Sequence, residues 1–103
     1  MENARLDILK NMLEQDPSNS FARYGLAMEY VKEESLEAAV SEFRSLIEVN
    51  PNYVAAYYHG GQALEKLGRT DQAKMIYQQG IEASTRNGDG HTRAEIEAAL
   101  SLL

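Results

Sequence analysis

The feature that most constrains this chain is an internal copy at a spacing of 34 residues. Moving Ser18–Pro51 along by that distance carries Pro17 onto Pro51, Ala22 onto Ala56, Tyr24 onto Tyr58, Lys32 onto Lys66, Ala39 onto Ala73 and Ile47-Glu48 onto Ile81-Glu82. An aromatic exchange, Phe43 for Tyr77, extends the match. A period of this length, with one supersecondary unit per repeat, marks a stacked array, because a single unit cannot bury its apolar faces alone.

Inside the period the apolar residues follow helical spacing. Residues 2–15 place Leu6, Leu9 and Leu13 on one stripe, widened by Ile8 and Met12, with Glu2, Arg5, Asp7, Lys10 and Glu14 largely elsewhere. That helix is predicted to end at Asp16-Pro17. Asn19 or Ser20 then caps a second helix reaching about Lys32, apolar on two sides: Ala22, Leu26 and Tyr30 on one, Phe21, Tyr24, Met28 and Val31 on the other. A third, with Ser35 as its N-cap, carries Leu36, Ala39, Val40, Phe43, Leu46 and Ile47 on one face and ends at Asn50-Pro51. The cycle repeats with a helix from Val54 to Leu67, Gly68 as a left-handed C-cap, Thr70 as N-cap, and a fifth helix to about Thr85. Arg86-Asn87-Gly88-Asp89-Gly90 reads as a turn, and Thr92, Ile96, Ala99, Leu100 and Leu103 as the stripe of a last helix over 91–103. No segment alternates with period two for long enough to form a strand.

Composition narrows the function. Sixteen acidic against ten basic residues give a net charge of −6, which disfavours nucleic acid and an anionic membrane surface. The absence of cysteine removes disulfides, thiolate nucleophiles and Cys-based zinc sites. MENARLDILK has neither the basic and apolar regions nor the cleavage site of a signal peptide, and no run reaches the length of a membrane span. A cytoplasmic, cofactor-free protein is the expectation. His59 and His91 begin no metal-binding spacing, no nucleophile elbow or phosphate loop is present, and no catalytic or metal site is assigned.

The repeat unit resembles that of the tetratricopeptide repeat family, whose helix-turn-helix pattern is W-x2-L-G-x2-Y, then A-x3-F, then P. The first repeat, 18–51, gives Arg23-x2-Leu26-Ala27-x2-Tyr30, Ala39-x3-Phe43 and Pro51; the second, 52–85, gives Tyr57-x2-Gly60-Gly61-x2-Leu64 and Ala73-x3-Tyr77, with Thr85 in place of the proline. Residues 1–16 look like the second half of a degenerate repeat, so the likeness covers roughly residues 5–85. It implies a single all-α domain, a right-handed superhelical stack of antiparallel helix pairs with about six helices, acting as a non-catalytic module for a protein or peptide partner. Small residues belong where helices approach closely, Ala27 with Ala39 and Gly61 with Ala73, and bulky Tyr30, Phe43 and Tyr77 fill the wider gaps. Gly60 and Gly61 each cost a helix about 1 kcal/mol relative to alanine, so Tyr57 or another nearby ring is expected to occupy their space. With Gly60, Gly61 and Gly80, the second repeat is expected to be the softer one. Arg23, in the family's aromatic position, is expected to lay its stem on the opening helix and offer its head to solvent or an acidic group.

In this family the first helix of each repeat lines a concave surface. Projected residue by residue, the candidate partner-binding groove is Phe21, Tyr24, Met28, Val31 and Lys32, with Ala55, Tyr58, His59, Gln62, Glu65 and Lys66. Rings and a methionine suit a peptide or a partner helix. The subset of the family that grips a C-terminal carboxylate uses Lys, Asn and Arg where this chain has Tyr24, Met28 and His59, so that specificity is not carried over. The competing expectation for the rings is that the last helix folds across them and makes them core. The alternative role is self-assembly through terminal faces around Ile8 and Met12 or Leu102-Leu103, as a monomer or weak homodimer.

Overall fold

The computed structural model describes residues 3–103; Glu2, read above as part of the opening helix, lies outside them. Among the described residues there are six helices and no strand: α1 (Ala4–Gln15), α2 (Ser20–Lys32), α3 (Leu36–Val49), α4 (Val54–Lys66), α5 (Thr70–Arg86) and α6 (Gly90–Ser101). Each packs chiefly on its neighbours in sequence, as stacked helix pairs require. The fold class agrees with the sequence expectation.

The breaks between helices are encoded locally, and they too repeat. Asn50 N–H donates to Leu46 O as Asp16 N–H does to Met12 O, 34 residues earlier. At the other kind of turn Ser35 N–H reaches back to Tyr30 O, Arg69 N–H to Leu64 O and Asp89 N–H to Ser84 O, and the residue before each is left-handed: Glu34 at φ 61°, Gly68 at 75°, Gly88 at 67°. This is the hydrogen-bonding pattern that closes helices through a left-handed residue. Where proline would have stopped α5 at residue 85, Thr85 lets it run to Arg86, and the glycine turn takes over.

Two cap assignments are corrected. Arg69, not Thr70, is the N-cap of α5, because the turn through Gly68 needs one further residue before helical geometry resumes. Ser35 occupies the N-cap of α3, but its side chain makes no capping bond there. Asn19 does cap α2, its carbonyl accepting from Ala22 N–H at 3.0 Å, and Asp89 caps α6 through Thr92 N–H in the same way.

The core runs along the stack as three linked clusters. Leu9 and Leu13 of α1 meet Ala22 and Leu26 of α2; Ala27, Ala39, Phe43, Leu46 and Ala56 join α2, α3 and α4; Tyr57, Leu64, Ala73, Ile76, Tyr77 and Ile96 join α4, α5 and α6. Burying Phe43, Leu46 or Leu64 contributes roughly 1.5–3 kcal/mol each. The glycines of the second repeat do not loosen it. A Cβ built on Gly61 would lie 2.1 Å from the Tyr77 ring, one on Gly60 3.3 Å from Phe43 Cβ, and one on Gly80 2.6 Å from Tyr57 Cβ. Tyr77 and Phe43 thus fill the space over Gly60-Gly61, and Tyr57 fills that over Gly80 instead. The expectation of a softer second repeat is overturned in packing terms: its glycines are close approaches, each closed by a side chain of a neighbouring helix.

Candidate functional site

Because α2 and α4 each sit between two antiparallel partners, they share a direction and expose equivalent stripes side by side. Tyr24 of α2 is the centre of the resulting surface. Its ring lies 6.3 Å from Phe43, 5.2 Å from Tyr53 and 5.9 Å from His59, and His59 lies 5.2 Å from Tyr58. Tyr53, a loop residue in the cap position of α4, was missed from the sequence because it precedes the periodic stripe.

Open space flanks this aromatic row at both ends. Beside α2 is a cavity of about 540 Å³ lined by Phe21, Tyr24, Met28 and Lys32, together with Arg5 and Leu9 of α1 and Gly25 and Glu29 of α2. Beside α4 is one of about 410 Å³ lined by Tyr58, Gln62 and Glu65 with Glu95, Ala98, Ala99 and Leu102 of α6. The structure therefore brings seven of the eleven candidate residues to two cavities and places His59 in the aromatic row between them. Val31 packs against the cluster around Phe43, while Ala55 and Lys66 line neither cavity. Phe21 is 72% exposed. Helix α6 packs on α5 and touches α4, so it walls the surface beside Tyr58 rather than folding across Tyr24. The walls from α1 and α6 escaped the sequence reading because they come from helices outside the two matched repeats.

Polar groups at the surface are held in place. Glu29 is 8% exposed, and its carboxylate accepts from Asn3 Nδ2 at 3.1 Å and lies 3.3 Å from Arg5 Nε, tying α1 to α2 at the cavity rim. Tyr77 O–H donates to Glu65, and burial followed by that carboxylate pushes the phenol well above its usual range. Burial pushes His59 below the ordinary imidazole value, with Glu95 pulling weakly the other way. Burial likewise raises Tyr24, with Tyr53 adding to it. A neutral imidazole among neutral phenols makes an apolar contact surface with hydrogen-bonding tips. On the opposite side Arg23 Nη1 meets Glu42 Oε1 at 2.7 Å and Nη2 donates to Pro17 O, so its head does find an acidic group. Among the described residues no three His, Cys, Asp or Glu gather as metal ligands, and no helix is long and apolar enough to cross a membrane.

Known proteins share both the repeat and its stacking. Residues 27–68 match the TPR repeat family and residues 54–87 the Tetratricopeptide repeat family. A tetratricopeptide repeat domain protein of Salinibacter ruber, solved by crystallography, is 39% identical over 80% of this chain and 91% of its own, with a TM-score of 0.75. A TPR repeat-containing protein of Pseudomonas aeruginosa is 26% identical over 92% of this chain and 90% of its own length. In fold alone, the TPR2B domain of yeast Sti1, solved as a complex with pHsp70, superposes with a TM-score of 0.87 at 19% identity, covering 93% of this chain and 77% of that one. With the repeat motif, the six-helix stack and these matches in agreement, this chain belongs to the tetratricopeptide repeat family.

Proposed function

We propose that this protein is a non-catalytic protein–protein interaction module whose concave surface, built from Phe21, Tyr24, Met28, Tyr58, His59 and Gln62, receives a peptide or helix of a partner protein. The observation that carries the reading is the continuous aromatic row from Tyr53 through Tyr24 and His59 to Tyr58, half-buried and flanked by two cavities. The stack places these rings where they serve as both packing and contact area, and Tyr and Met offer large area at modest entropic cost. The Sti1 domain, alike in fold, holds its partner as a complex, which fits a shared mode of use without fixing the ligand. The partner-binding surface of this chain lacks the cationic positions that would select a carboxylate tail.

The test is capture from the native cell extract by the wild type and by a Tyr24→Ala/Tyr58→Ala variant whose helicity and thermal midpoint have been checked. Affinity for a captured, purified partner should fall about tenfold or more, as for paired aromatic anchors. Equal affinity for both proteins would overturn the groove. Exposure of Ile8 at 61% and Leu102 at 86% supports the second reading, self-assembly, which light scattering at tens of micromolar decides.

A further inference from the structure

The two cavities are not equivalent, and the repeat itself explains the difference. On the α3/α4 pair, the stripe Tyr24, Met28 and Val31 of α2 packs against Phe43, Ala39, Leu46 and Ala56, with the Tyr24 ring set on Phe43 and His59. On the α5/α6 pair, Tyr58 of α4 packs in the same way against the cluster containing Tyr77 and Ile96. Translation by 34 residues maps Phe43 back to Leu9, His59 to Gly25 and Gln62 to Met28. The α1/α2 pair therefore presents the same seat, and among the described residues no helix lies on it; the cavity of about 540 Å³ is that seat.

Resting on the proposed interaction role, we infer that the α1/α2 seat receives an amphipathic helix of a partner protein. That helix runs in the direction of α2, with an aromatic residue at i, bulky aliphatic or Met residues at i+4 and i+7, and acidic residues on its flank. The stripe follows from what α2 itself offers to α3/α4, since residues spaced by four and three share a helix face. The aromatic belongs at i because the seat is wider there than its copy: Leu9 stands for Phe43, and Gly25, with no side chain, stands for His59. The acidic flank follows from charge. Arg5 and Lys32 against Glu29 make the lining net positive by one, whereas the chain as a whole carries −6. A second copy of the chain fits less well, because the face α6 presents at the positions of Tyr24, Met28 and Val31, counted from the helix starts, is Ala94, Ala98 and Ser101.

The experiment is amide NMR of the full chain titrated with a helix-forming synthetic peptide bearing Tyr, Met and Val at i, i+4 and i+7 and two Glu on one flank. The expected result is saturable shifts at Leu9, Phe21, Gly25 and Met28, absent with a peptide whose three stripe residues are Ala. Phe21→Ser, at a largely exposed side chain, should weaken binding about tenfold without moving the thermal midpoint. Lys32→Glu should weaken the Glu-flanked peptide more than a Gln-flanked one, a difference that salt reduces. Saturable shifts confined to Tyr58, Gln62 and Ala98 would overturn the seat and leave the groove reading standing. No saturable shift overturns the seat, and the groove is then decided by the Tyr24/Tyr58 capture. Shifts at Leu9 and Gly25 that grow with protein concentration before any peptide is added would assign the seat to a second copy and overturn the inference.

Discussion

At the scale of single residues, glycine substitutions separate propensity from packing. Replacing a helical glycine with alanine ordinarily gains about 1 kcal/mol. At Gly61 the new methyl would meet the Tyr77 ring at 2.1 Å, a rigid group fixed by its bond to Glu65, so Gly61→Ala is expected to destabilise by roughly 2–3 kcal/mol in urea unfolding. At Gly25 the nearest atom is the flexible end of Leu9 at 3.1 Å, and Gly25→Ala should be neutral or slightly stabilising. Glu34 offers the reverse case. It holds φ at 61° where its copy 34 residues on is Gly68, so Glu34→Gly should stabilise by about 0.5–1 kcal/mol. His59 sets a pH dependence. Its folded pKa lies below the ordinary 6.5, so the unfolded chain binds the proton more readily. Its contribution is present above pH 6.5 and is lost as pH falls from there through the folded value. The thermal midpoint should therefore decline from pH 7.5 to 5.5, and His59→Phe should flatten that decline.

At the scale of elements, the caps and ties decide how the helices are joined. Asn19→Ala removes a formed capping bond and should cost about 1 kcal/mol, whereas Ser35→Ala, at a cap whose side chain bonds nothing, should change denaturant stability by only a few tenths. Arg23 joins three pieces at once: α2, the α3 carboxylate of Glu42 and the carbonyl of Pro17 in the preceding loop. Both charged groups are about four-fifths covered, so Arg23→Ala should destabilise by about 1–2 kcal/mol, with Glu42→Gln adding little in the double variant. Full additivity of the two would show that the pair is uncoupled. An arginine in the family's aromatic position thus works by linking rather than by filling.

At the scale of the whole molecule, stability is spread along a line. Clusters link each helix to its neighbours, and α1 and α6 each have packing partners on one side among the described residues. Hydrogen exchange should be slowest in α3, α4 and α5 and faster in α1 and α6, the order expected of a stack that frays from its ends. Uniform protection across all six helices would contradict that arrangement.

The 34-residue copy and the helical periodicity by themselves determined the class, the number and the order of helices, because both depend on spacing along the chain. They also determined which face of α2 and α4 is left over once the stack forms. Pro17 and Pro51 marked two of the turns, and Thr85 in place of the third proline marked where α5 runs on. Only the tertiary structure decided which ring fills which glycine, since Tyr77 over Gly61 and Tyr57 over Gly80 are pairings between separate helices. It alone decided the walls of the site as well. Arg5, Leu9 and Glu29 come to the seat beside Gly25, and Glu95, Ala98 and Leu102 to that beside Tyr58, through helices that keep no exact copy of the repeat. Periodicity reports the face a helix turns toward its neighbours; the shape of the space between two helices depends on both partners, and that is set when they pack.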